Sequence, residues 1–325
     1  MAVGRVNVGG VVIETIDKLG IFDETETAMA YNNILSDGGM FLFASAGNQI
    51  FKFDLQFNII ASANVTIGKS KINYDNGFLY FRTGTRGITK LDISTMQYQE
   101  FTDSDFSSTD IYAFDDDYMY LLGSTFVVKV NKFNMSVVSR ASVKNSLNTN
   151  EYANTLVIDD EFIYVISSIN YNSNVGTFVT KAGKQALDII ESKKISDDYY
   201  HYPHAILDDG IIYAASSISS GQSLIKLRSS DLVIVASASH MSFSTFLVDK
   251  NNLYLNGGST LVRKVDRNTL VEICKTINSY PTTTQSHPKH PTELVGETIF
   301  AIGNVGGTAP FKIYKIANTI SRRRK

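Results

Sequence analysis

Histidine is the side chain here whose grouping could do chemistry, because imidazole titrates near neutrality and ligates metals. Four of the five fall in two similar clusters, Tyr200-His201-Tyr202-Pro203-His204 and Ser286-His287-Pro288-Lys289-His290-Pro291, and His240 stands between them. If the connections that carry them share one face of the fold, His204, His240 and His290 would approach one another. We therefore treat His201, His204, His240, His287 and His290 as candidate partner-binding residues, by hydrogen bonding to a polar ligand, and assign no metal to them. Acidic runs at Asp115-Asp116-Asp117, Asp159-Asp160 and Asp208-Asp209 could also suggest metal ligands. No Asp-x-Asp-x-Asp-Gly loop with a trailing Glu follows any of them, and all three recur where the backbone must turn, so they read as turn residues. Cys274, the single cysteine, sits in an alternating strand pattern as a small buried thiol. There is no Gly-rich phosphate loop, no Gly-x-Ser-x-Gly elbow and no His-Glu-x-x-His. No catalytic residue and no cofactor is assigned.

The elements that would position these groups repeat. Asn76-Gly77-Phe78-Leu79-Tyr80-Phe81 followed by Lys90-Leu91-Asp92 recurs as Asp116-Asp117-Tyr118-Met119-Tyr120 with Lys129-Val130-Asn131, as Gly210-Ile211-Ile212-Tyr213 with Lys226-Leu227-Arg228, and as Asn252-Leu253-Tyr254 with Lys264-Val265-Asp266. Aligning Leu42, Tyr80, Tyr120, Tyr164, Tyr213, Tyr254 and Phe300 gives spacings of 38, 40, 44, 49, 41 and 46 residues. A period of this size, with several short strands per unit and no sustained helical pattern, predicts propeller blades. The reading is an all-β, seven-bladed β-propeller closed by an N-terminal strand. Residues 1–10 form an attachment arm, 11–320 the propeller, and 321–325 a basic C-terminal tail. The seventh unit lacks a fourth strand of its own, and Val11 to Lys18 is expected to supply it. The recurring Tyr falls mid-strand between apolar neighbours and is read as blade-to-blade packing.

Composition narrows the class. With 32 acidic and 30 basic residues the net charge is −2, which gives no general attraction to nucleic acid. No apolar run approaches the length of a membrane-spanning helix, and the first residues lack the pattern of a secretory signal. The expectation is a soluble protein made without a signal. The absence of Trp excludes the Trp-bearing boxes of sialidase and Trp-Asp propellers.

The opening Met1-Ala2-Val3-Gly4-Arg5-Val6-Asn7-Val8-Gly9-Gly10 resembles the leader of structural proteins encoded in the tail modules of phages of Gram-positive bacteria, with Arg5 where that leader has Lys. The resemblance covers about ten residues. It implies a non-enzymatic virion component of the tail or baseplate, made in the host cytoplasm. Val3, Arg5, Val6, Asn7 and Val8 would dock on other virion proteins, and the propeller would face a partner or host cell-wall glycan. A glycan-degrading enzyme and a bacterial scaffold with no viral link are the alternatives.

Overall fold

The computed structural model describes the chain except residues 1–2, 9–10, 17–19, 28–30, 68–70, 108, 144–150, 172–173, 198–200, 219–220, 241–244, 258–259, 276–291, 296–297, 305–310, 318–319 and 325. Regular structure among the described residues is strand throughout, apart from a single 3-10 turn at Ser104–Phe106.

Six blades are each built from four consecutive antiparallel strands in simple up-and-down order. Blade 1 comprises Tyr31–Ser36, Phe41–Ala46, Gln49–Asp54 and Ile59–Asn64; blade 2, Asn73–Asp75, Phe78–Thr83, Gly87–Asp92 and Tyr98–Thr102. Blade 3 comprises Thr109–Phe114, Tyr118–Gly123, Phe126–Asn131 and Val137–Ser142; blade 4, Glu151–Ile158, Phe162–Tyr171, Asn174–Gly183 and Ile189–Ser196. Blade 5 comprises His201–Asp208, Ile211–Ile218, Gly221–Arg228 and Ile234–His240; blade 6, Thr245–Val248, Asn252–Gly257, Thr260–Asp266 and Glu272–Lys275. The chain divides into two compact units, residues 1–65 with 242–325, and residues 66–241. Blades 2 to 5 make up the second unit.

Burial follows position in the blade. Strands 2 and 3 are buried on both faces, as at Met119, Tyr120, Leu121, Val127, Val128 and Val130, and so read as near-continuous apolar runs. The fourth strand is an edge and alternates, as in Val137–Ser142.

The seven-bladed ring closed by Val11 to Lys18 is overturned. Six blades come from consecutive strands, and Val11–Ile16 belongs to none of them. It is the middle strand of a separate three-stranded sheet, between Val3–Val8 and Ile320–Arg324. A further four-stranded sheet in the first unit is stitched from both ends of the chain, in the order Thr292–Val295, Thr298–Asn304, Phe311–Ala317, Gly20–Thr27. Gly20–Thr27 is therefore the strand that crosses from the N-terminus, in register from Gly20 opposite Ala317 to Thr27 opposite Phe311 with one irregularity between Ile21 and Asp23.

The physical reason lies in Gly9-Gly10. Two glycines between two alternating runs are a two-residue hairpin signal, and the structure pairs Val8 with Val11 and Val3 with Ile16 across them. Val11–Ile16 thus has a local partner on one side and the C-terminal strand on the other, leaving the edge beside Phe311–Ala317 to the next strand along, Gly20–Thr27. The expected arm and the basic tail are accordingly outer strands of one sheet, and the register sets Glu14 opposite Arg5 and Arg322.

Candidate functional site

The Asp before strand 2 and the Tyr within it form one device. Asp115 Oδ1 accepts the N–H groups of Asp117 and Tyr118 at 3.1 and 2.8 Å, closing the turn, while its Oδ2 accepts the Tyr120 hydroxyl at 2.7 Å. Asp159 does the same for Glu161, Phe162 and Tyr164, and Asp249 for Asn251, Asn252 and Tyr254. Antiparallel geometry explains the spacing: five residues on from the turn-opening Asp, the Tyr ring stands on the blade face beneath it and its hydroxyl reaches back to the free carboxylate oxygen. Tyr80, Tyr120, Tyr164, Tyr213 and Tyr254 are among the largest fully buried side chains, so the packing reading holds, and the hydroxyls of Tyr120, Tyr164 and Tyr254 are satisfied as buried phenols must be.

A second device uses the strand 3 lysine. Lys129 lies over the Tyr118 ring at 4.0 Å and donates to the Lys184 carbonyl of blade 4; Lys90 lies over Phe78 at 4.3 Å and donates to the Lys132 carbonyl of blade 3. Lys181 lies over Phe162 and donates to the carbonyls of Ser229 and Ser230 in blade 5. The residues receiving these bonds answer in the opposite direction. Lys132 Nζ reaches Asp75 Oδ2 and the Asp115 carbonyl, both at 2.6 Å, and Lys184 Nζ reaches Asp115 Oδ2 at 2.9 Å and the Asp159 carbonyl at 3.1 Å. Blades 2 to 4 are thus joined by reciprocal charged hydrogen bonds at one end, and Lys181 continues the series to blade 5. In blade 5 the answering position is Ser229, whose hydroxyl bonds Tyr164. The sequence showed the Lys-apolar-Asp pattern; that the lysine serves the next blade was not legible, because its acceptor is a backbone carbonyl 42 to 55 residues away.

The electrostatics match a structural role. Burial, joined by the adjacent carboxylates, holds the hydroxyls of Tyr80 and Tyr120 far above the usual phenol range; burial and Asp159 do so for Tyr164, against a smaller opposing effect of Ser229. Burial alone would raise the Asp115 carboxyl, yet bonds from Lys184, Tyr120 and the Tyr118 N–H outweigh it and hold it below the usual range. A depressed carboxylate contributes stability above its unfolded value, about 3.9, that is lost as pH falls through the lower folded value. Phenols raised in the folded state contribute stability below about 10 that is lost as pH rises and the unfolded chain ionises. These groups should therefore leave the melting temperature flat between about pH 4 and 10 and lower it on both sides, and in the folded protein the part of the phenolate absorbance that belongs to Tyr80, Tyr120 and Tyr164 should appear late. A folded protein in which no fraction of the phenolate absorbance is delayed would contradict this.

The expected histidine cluster is placed as follows. His201 and His204 lie in strand 1 of blade 5, opposite Ser217 and Ala215, and His204 is half-buried. His240 ends strand 4 of the same blade, opposite Gln222. His201, Ser217, Gln222 and His240 thus make one row across the sheet. At about 4.8 Å per strand the two histidines are about 14 Å apart, so the structure does not bring them together. His287 and His290 lie outside the described residues. Val3, Arg5, Val6, Asn7 and Val8 form the outer strand of the three-stranded sheet. Among the described residues no group of three or more His, Cys, Asp or Glu could hold a metal ion. Cys274 is half-buried, opposite Lys264 in strand 4 of blade 6.

No protein-family model matches the chain, and no curated protein matches it. Among solved structures it is similar to BamB from Moraxella catarrhalis, at 8% identity over 96% of both chains with a TM-score of 0.60. It is also similar to the Pan2 WD40 domain of Neurospora crassa, at 8% identity over 90% of both chains with a TM-score of 0.62. At this identity the likeness shows the fold alone, a β-propeller.

Proposed function

We propose that this β-propeller protein is a non-enzymatic scaffold that docks through its N-terminal arm onto a larger particle, a phage tail or baseplate, and presents its blades to a partner or to the host surface. The observation that carries the docking element is the sheet outside the blades. Val3–Val8 is its outer strand, paired among the described residues with Val11–Ile16 alone. An outer strand offers a row of backbone donors and acceptors on its other side, which is the basis of binding by strand addition. The resemblance of the leader supplies the particle.

The conserved geometry of the Asp, Tyr and Lys devices from blade to blade supports the scaffold half of the reading. Their polar atoms are engaged with turns and neighbouring blades, which suits a rigid body better than a reactive centre.

Deleting residues 1–10 is the test. That sheet shares no strand with the blades, so the truncated protein should melt within about 2 °C of the parent, an effect of well under 1 kcal/mol on the blades. Incorporation into particles that lack the parent protein should be lost. Truncated protein that assembles normally would refute the docking role.

A further inference from the structure

The fourth strand of every blade is an outer edge, and in four blades that edge is guarded by charge. Blade 2 carries Glu100 there, blade 3 Arg140, blade 4 Glu191, Lys193 and Lys194, and blade 6 Glu272 and Lys275. Charged side chains along an unpaired edge keep another strand from adding to it. The outer strands of blades 1 and 5, Ile59–Asn64 and Ile234–His240, contain no Asp, Glu, Lys or Arg.

These two strands are also alike position by position. In blades 1, 3, 4, 5 and 6 the ladder between strands 3 and 4 skips one residue of strand 4 at the same place, at Ile60, Val138, Ile190, Val235 and Ile273. Counted from that residue, blade 1 continues Ala61-Ser62-Ala63-Asn64 and blade 5 continues Ala236-Ser237-Ala238-Ser239. The same positions read Ser139-Arg140-Ala141-Ser142 in blade 3 and Glu191-Ser192-Lys193-Lys194 in blade 4. Burial repeats with the sequence. Ser62, Asn64, Ser237 and Ser239 are exposed, while Ala61, Ala236 and Ala238 are half-buried and Ala63 is buried.

Both tracts are regular and open on one side. The ladder to strand 3 runs unbroken from Lys52 opposite Ala61 to Gln49 opposite Asn64, and from Lys226 opposite Ala236 to Gln222 opposite His240. Among the described residues each strand pairs on that side only, with Gln49–Asp54 and with Gly221–Arg228. Exposed apolar side chains stand at the head of each tract: Ile59 and Ile60 are 56% and 53% exposed, Ile234 and Val235 44% and 45%.

We propose that these two edges bind further copies of this chain, each outer strand pairing antiparallel with the same strand of a neighbouring copy. The occupant that fits is an extended, uncharged strand with small side chains, and the chain supplies that strand twice. A two-fold axis through Ser237 sets Ala236 opposite Ala238 and Val235 opposite Ser239; one through Ser62 sets Ala61 opposite Ala63 and Ile60 opposite Asn64. Directly opposed residues of an antiparallel pair share a face, so alanine meets alanine on one face, and the serine on the axis meets its own copy on the other, within reach of a cross-strand hydrogen bond. Each large apolar side chain meets a smaller one, and pairing removes it from water. A net charge of −2 sets little repulsion between copies. Two-fold pairing of identical patches is also the commonest symmetry of protein oligomers.

The proposal goes beyond the docking role above and is tested on the isolated full-length protein. Sedimentation equilibrium should give an average mass that rises with concentration above the 35.9 kDa of one chain. With Ser62→Lys and Ser237→Lys combined, like charges face each other across both axes. The dissociation constant should then rise by about 10-fold or more, equivalent to about 1.4 kcal/mol. Both serines are exposed, so the melting temperature of the dilute protein should be unchanged. Thr102→Lys, exposed on the charged outer strand of blade 2, is the control and should leave association as it is. Amide hydrogen exchange needs no substitution: it should slow with concentration in Ile59–Asn64 and Ile234–His240 and not in Val137–Ser142. A parent protein that stays monomeric, association untouched by the combined substitution, or exchange independent of concentration in both strands would overturn the proposal. Each of those results leaves arm docking standing, because the sheet that holds the arm shares no strand with blades 1 and 5. Normal assembly of the truncated protein would likewise leave edge pairing standing.

Discussion

Asp115→Ala should be among the most damaging single substitutions in blades 2 to 5, lowering stability by about 3–5 kcal/mol in urea unfolding. One side chain closes a turn, accepts the Tyr120 hydroxyl and receives Lys184 from the next blade. Its removal leaves a fully buried phenol without its acceptor and a largely buried ammonium without its counter-charge, and stranded groups cost more than the bonds themselves contribute. Tyr120→Phe, which removes only the donor, should cost about 1–2 kcal/mol. Asp231→Ala is the contrast. Asp231 and Arg228 are also 2.6 Å apart, but both are about half exposed and screened by solvent, so the loss should be far smaller than at Asp115. Equal effects of Asp115→Ala and Asp231→Ala would show that the blade interface does not depend on the charged bonds.

The second large effect is expected at Leu232, where side-chain loss and backbone relief oppose each other. The residues at the turn between strands 3 and 4 adopt the left-handed conformation in all six blades, at Phe57, Met96, Met135, Leu187, Leu232 and Leu270, and none of them is glycine. Leu232 has φ 53° and is fully buried, with its N–H on the Arg228 carbonyl at 2.9 Å. The backbone strain of about 1–2 kcal/mol is tolerated because it sends a large apolar side chain down into the core. Leu232→Ala keeps the strain and loses the burial, and should cost about 3–5 kcal/mol. Leu232→Gly loses one carbon more but releases the strain, and should be no worse than alanine. At Leu227, equally buried but within strand 3, the order should reverse, glycine being worse by about 0.5–1 kcal/mol. The same order at both positions would remove the strain argument.

Local features of this fold were legible because they are written within a few residues. Asp or Asn before strand 2, the Tyr five positions later and the alternation of the outer strand each reflect a turn or a pleat, so the period of about 40 residues emerged from spacing alone. The turns between strands 3 and 4 were less transparent, since a buried Leu or Met at positive φ leaves no compositional mark of the kind glycine leaves. Asx turns from Asp54, Asp92, Asn131 and Asp266 precede them, and that pattern could have located the turn, though not its conformation.

What the sequence determined by itself is the strand repeat, the turn chemistry and the identity of the buried tyrosines. What only the tertiary structure decided is which strand joins which. Val11–Ile16 and Gly20–Thr27 can each pair as an edge, and the choice between them depended on the pairing of Val11–Ile16 with Val3–Val8 and with a C-terminal strand some 300 residues away. The lysine acceptors and the separation of His201 from His240 across blade 5 were decided in the same way. A strand's alternation specifies a face and a length but not a partner, because the backbone ladder that joins strands is the same for every sequence.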